Sequence, residues 1–161
     1  METGNAHPRA HLLLIGVGNE FGGDDGLGPL VVREVKRRSL PGVDIVEESG
    51  EGTSLMQAWE GARQVIIVDA VSSGQIPGTL HRFDVATIPL PRKFFHSSSH
   101  AFGLAEAIEL ARQFHTLPEV MVVYGIEGEV FKAGVGLSER VVKSVPELLR
   151  IMEQNLKTRR W

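Results

Sequence analysis

His11-Leu12-Leu13-Leu14-Ile15-Gly16-Val17 runs directly into Gly18-Asn19-Glu20-Phe21-Gly22-Gly23-Asp24-Asp25-Gly26, after which Leu27, Leu30, Val31 and Val35 recur at helical spacing. A nearly continuous apolar run that ends in glycines reads as a buried strand. The repeat behind it reads as a helix with one apolar face, and Pro29 fits its first turn, where no amide hydrogen is required. Strand, glycine–aspartate loop and helix together open an α/β unit.

The same alternation continues to the end of the chain. Ser39-Leu40-Pro41-Gly42 stops the helix and residues 43–48 form a second strand. Ser54-Leu55-Met56-Gln57 has the pattern of a capping box, which predicts a short helix reaching about residue 60. Val65-Ile66-Ile67-Val68 is a third strand, β-branched throughout and so expected to be buried on both faces. Residues 79–85 alternate as a fourth strand, and 86–99, with Pro89, Pro91 and a serine run, form a long loop.

Leu104, Ile108, Ala111 and His115 predict one face of a helix that begins near His100, and residues 120–126 form a fifth strand. Ser138 opens a terminal helix, which Ser144-Val145-Pro146-Glu147 is expected to interrupt and restart, because Pro146 cannot donate to the ladder. Strands alternating with helices predict one α/β domain spanning residues 1–161. Its five-stranded twisted sheet is mostly parallel, flanked by helices on both faces, with the fourth strand as an antiparallel edge. Residues 1–10 are expected to be a flexible tail.

Composition narrows the function. The 161 residues are 42% hydrophobic and 23% charged, enough for a core without staples. There is no cysteine, which removes disulfides, a thiol nucleophile and thiolate metal ligands together. A formal charge of -3 offers no basic footprint for nucleic acid. No apolar run is long enough to span a bilayer, and the first eleven residues lack the apolar core of a secretory signal. A cytoplasmic protein acting as a monomer is expected.

The glycine loop at 18–28 invites a phosphate-binding reading, which fails on its residues. The dinucleotide fingerprint needs glycine where Phe21 stands, and the phosphate loop needs Gly-Lys where Gly23-Asp24 stands. Glu20, Asp24 and Asp25 would also repel an anion. The loop suits a cation or a peptide. Asp24 is assigned mainly to capping the following helix, and Asp25 to function. Asp69 stands at the carboxyl end of the third strand, the edge where open α/β sheets bind ligands; alternatively it serves loop amides. His100 follows a run of small residues that lets an imidazole turn toward the same edge.

Two carboxylates and one imidazole, Asp25, Asp69 and His100, make a sensible site for a divalent transition metal, with positions left for water or a partner. The loop segment Leu90-Pro91-Arg92-Lys93-Phe94-Phe95 is a candidate substrate-binding surface through Phe94 and Phe95. The alternative is that both rings fold back into the core.

Gly18-Asn19, Asp24-Asp25-Gly26-Leu27-Gly28, Ile67-Val68-Asp69-Ala70, Ser99-His100 with Gly103-Leu104, Gly125-Ile126-Glu127 and Gly136-Leu137-Ser138 together resemble the hydrogenase maturation protease family. The resemblance runs from Leu12 onward. It implies an endopeptidase that removes the C-terminal extension of a nickel–iron hydrogenase large-subunit precursor after nickel insertion. It also implies that the family's three metal-binding positions fall on Asp25, Asp69 and His100, the nickel being supplied by the substrate, with another divalent metal able to replace it in vitro. Asp25 and Asp69 are the catalytic candidates, through metal assistance or as an acid–base dyad of the aspartic type. The alternative is a nickel-binding maturation chaperone without peptidase activity. One departure stands out: many relatives carry proline where this chain has Gly128, which predicts a looser loop there.

Overall fold

The computed structural model describes residues 12–95 and 100–161. The expected tail at 1–10 lies outside the described residues. Five strands, β1 (Leu12–Val17), β2 (Val43–Glu48), β3 (Gln64–Val71), β4 (Leu80–Asp84) and β5 (Val120–Glu127), form one sheet in the order β2-β1-β3-β5-β4. β1 runs parallel to β2 and β3, and β3 parallel to β5, while β4 pairs antiparallel with β5 at the edge. The α/β architecture and its antiparallel edge are those read from the sequence.

Alternation along the strands divides the core in two. Leu12, Leu14, Ile66, Val68, Val122 and Tyr124 face α1 (Leu27–Arg38) and α4 (Glu139–Thr158). Ile15, Val17, Val65, Ile67, Met121 and Val123 face α2 (Gly52–Trp59) and α3 (Leu104–Gln113). Both faces of the central strands are therefore covered, which is why their sequences are apolar without a polar phase.

Several local expectations are corrected. Leu30 points outward, and Val32 takes its place on the buried face of α1. α2 begins at Gly52, not after Ser54, because the Glu51 carboxylate accepts from Thr53 N (3.0 Å) and Ser54 N (2.8 Å). A glutamate thus does the capping that the serine pattern suggested.

α3 begins at Leu104, four residues after His100, and His115 lies beyond its end with φ of 55°. α4 runs unbroken through Pro146. The carbonyl deprived of its partner belongs to Val142, on the exposed side of the helix, where water can replace the lost bond. β3 also extends three residues past Val68, so Asp69 sits within the strand.

Candidate active site

The strand order reverses between β1 and β3, neighbours in the sheet whose carboxyl ends lie at one edge, the place where open α/β sheets form a ligand crevice. Asp25 and Asp69 come to that crevice from its two sides. β1 ends at Val17 and the chain turns through Gly18, whose φ is +138°. A Cβ at Gly18 would collide with the Asp25 carbonyl, so only glycine lets the loop fold back onto the strand end. Residues Gly23–Gly26 then form one 3₁₀ turn leading into α1. Asp25 is half-buried there, and its Oδ2 accepts from Asn19 N at 3.0 Å.

Asp69 is buried, on the α2–α3 side of the sheet by the alternation of β3. Its Oδ1 accepts from Ala70 N at 2.8 Å. Burial pushes this carboxyl well above the usual aspartate range, and the negative charge of Asp25 pushes it further; the Ala70 amide opposes both and loses. Two acids whose charges oppose one another across a crevice are characteristic of sites that hold a proton for use.

His100 is exposed in the segment leading to α3 and shares with Asp25 a cavity of about 410 Å³. It also borders a second cavity, of about 540 Å³, beside Phe95 and Arg92. The segment is anchored on the start of α2, where Gly52 N donates to Phe102 O at 2.9 Å. Sequence reasoning missed Glu51, which this anchoring brings near His100. Its carboxylate is held low chiefly by the Thr53 and Ser54 amides and in small part by His100. Among the described residues, no three His, Asp or Glu side chains are assembled closely enough to hold an ion as they stand. The Asp25–Asp69 pair and His100 share one sheet edge without forming a closed cage.

Asp24 has a different task from the one expected. It caps no helix of its own: the N-terminus of α1 has no side-chain cap. Fully buried, it reaches across to the β5–α4 loop and accepts from Glu129 N (2.7 Å), Val130 N (2.9 Å), Ser138 N (2.7 Å) and Ser138 Oγ (2.9 Å). Burial alone would raise its pKa, but these donors together outweigh it and hold the group below the ordinary aspartate value. The loop predicted to be loose is therefore tied down at three residues. Gly128 itself donates N–H to Val71 O at 2.8 Å, a bond that proline could not make.

Glu127 is a second buried carboxylate that the sequence did not single out as a clamp. It accepts from Ser73 N and Oγ (both 2.7 Å), Gly74 N (2.9 Å) and His81 Nε2 (3.1 Å), fixing the turn that follows β3. Phe94 and Phe95 take the second of their two readings. Phe95 is buried edge-on against Phe83, with ring centroids 5.8 Å apart, and Phe94 is half-buried against Phe83 and His81. Phe95 belongs to the core cluster, and Phe94 packs against it from a half-buried position.

A family model described as hydrogenase maturation protease matches residues 29–155. A Methanocaldococcus jannaschii relative named for the same protease family is 30% identical over 152 residues, 91% of this chain and 96% of its own. The chain belongs to the hydrogenase maturation protease family. Solved structures agree in fold. An Escherichia coli endopeptidase superposes with a TM-score of 0.76 at 25% identity, covering 91% of this chain and 93% of that one. The E. coli hydrogenase maturating endopeptidase HybD gives 0.73 at 23% identity, with the same coverage of both chains. As a maturation protease the chain is a peptidase. No helix among the described residues is long and apolar enough to cross a membrane.

Proposed function

We propose that this maturation protease cuts the C-terminal extension from a nickel–iron hydrogenase large-subunit precursor, in the cytoplasm and after nickel has been inserted. The observation that supports the reading is that buried Asp69 lies near enough to feel the charge of Asp25, with His100 on the wall of the cavity that Asp25 lines. Amide hydrolysis needs an activated water, a stabilised oxyanion and a proton for the leaving amine. Asp69, which burial keeps protonated beyond the usual range, would donate that proton, and Asp25 would take one from water. The nickel belongs to the substrate in this proposal. Asp25, His100 and, once it has released its proton, Asp69 supply oxygen and imidazole donors that suit such an ion, and they would read its presence on the client.

Incubation of the purified chain with nickel-loaded precursor, followed by mass spectrometry, tests this. The precursor should lose its C-terminal extension with the wild-type protein and stay intact with Asp25→Asn or His100→Ala, both variants melting as wild type does. A wild-type protein that binds the nickel-loaded precursor and leaves its mass unchanged would instead make the chain a nickel-dependent chaperone.

A further inference from the structure

Phe21 projects from the β1–α1 loop with 69% of its surface exposed, and it lines the same cavity as Asp25 and His100. Single exposed apolar residues are ordinary, and Ile76 and Phe114 are exposed to a similar degree, at 73% and 65%. What sets Phe21 apart is how its backbone is held. Its N–H donates to Asn19 Oδ1 at 3.0 Å, and its carbonyl accepts from Gly134 N at 2.9 Å. On either side, Gly22 N donates to Asn19 O (3.0 Å) and Gly23 N to Val135 O (3.0 Å). The backbone beneath the ring is thus fixed in place while the ring is left out of the core.

The same bonds join two loops into one surface. Gly134 to Phe21, Gly23 to Val135 and Asp24 to Val130 are backbone links between the β1–α1 and β5–α4 loops, locked from beneath by the Asp24 carboxylate. Val130 and Val135, on the second loop, are also exposed. Three large apolar side chains therefore stand outside the core on two stitched loops, one of them at the mouth of the cavity. The other side of that cavity is charged, with Arg33 bound to Glu20 and Glu47. An apolar group entering the cavity mouth finds its partner in Phe21.

We propose that Phe21 is a specificity-determining residue that docks an apolar side chain of the precursor, close to the bond presented to Asp25 and Asp69, with Val130 and Val135 extending the docking surface. The inference rests on the reading that this chain cuts a polypeptide. Because the loop that carries the ring is already ordered, binding costs no loop ordering, and more of the burial of the ring goes into holding the substrate.

The test is steady-state cleavage of the nickel-loaded large-subunit precursor by wild type, Phe21→Ser, Phe21→Leu and Phe114→Ser. Phe114 closes α3 at the opposite edge of the sheet and controls for the removal of an exposed ring. Phe21→Ser should raise KM by about tenfold, the scale expected when one apolar side chain is no longer buried on binding, while kcat changes less than about twofold. Phe21→Leu should recover most of the KM, Phe114→Ser should match wild type, and all four proteins should melt together. If wild type cleaves and Phe21→Ser keeps the wild-type KM, the docking role is overturned and the peptidase reading stands. If wild type cleaves no nickel-loaded precursor, the peptidase reading falls and takes this inference with it.

Discussion

Among single residues, Asp69 carries the largest conflict between stability and use. A carboxyl buried beside another acid is held in its neutral form, and ionising it costs the fold. Its folded pKa is raised, so its stability contribution is complete below the unfolded value and is lost as pH rises through the folded one. Asp69→Asn cannot titrate and keeps an oxygen for the Ala70 amide. In chelator, the melting temperature of Asp69→Asn should gain on that of wild type as pH rises above the ordinary aspartate value, while precursor cleavage disappears. Thermal melts across that range check the sign, and a difference that is flat or shrinks with pH would contradict it. Asp69 was legible because strand ends are where α/β sheets bind ligands. Its burial was not, because the extension of β3 beyond Val68 depends on pairing with β5, from Gln64–Val120 to Val71–Glu127.

At the level of elements, the sequence disclosed periodicities and concealed partners. Apolar runs marked β1, β3 and β5, alternation marked β4, and the glycine loop marked the turn back at β1. Asp24 was read as a local cap because an aspartate before a helix is usually one; its real donors are 105 to 114 residues away, beyond any local pattern. Glu51 was passed over as a cap for the converse reason, that the serine pattern beside it resembled a better candidate. Phe94 and Phe95 lie next to basic residues, yet the cluster formed by Phe83 and His81 on β4 draws them inward.

The span of Asp24 gives an element-scale prediction. Asp24→Ala leaves three amides of the β5–α4 loop without their acceptor, at about 1–3 kcal/mol for each one that water does not reach. A loss of roughly 3–6 kcal/mol in denaturant unfolding is expected. Asp24→Asn should lose less, since its one carbonyl oxygen can serve the donors on Oδ2 but its amide cannot accept from Ser138 N. Because the folded pKa of Asp24 is depressed, the contribution is present above the ordinary aspartate value and is lost as pH falls through the folded one. An Asp24→Ala protein as stable as wild type at neutral pH would mean that the loops hold without their clamp.

In the whole molecule the proposed site lies at one edge of the sheet, and the donors it lacks there shape the last prediction. With no cysteine and only Asp25, Asp69 and His100 proposed to meet nickel, it offers fewer and weaker donors than the closed four-ligand sites that bind structural zinc firmly. Positions left open on the ion are then available to the partner that brought it. An enzyme built this way gains a checkpoint, because a client without nickel brings no cation for Asp25, Asp69 and His100 to bind. Chelator-treated protein mixed with nickel-loaded precursor should therefore cleave it, whereas untreated protein mixed with nickel-free precursor should not. Mass spectrometry of the two mixtures distinguishes the cases. Cleavage confined to the second mixture would mean that the protease carries its own ion. Cleavage in both would mean that the acid pair at the β1–β3 crevice needs no metal to recognise its client.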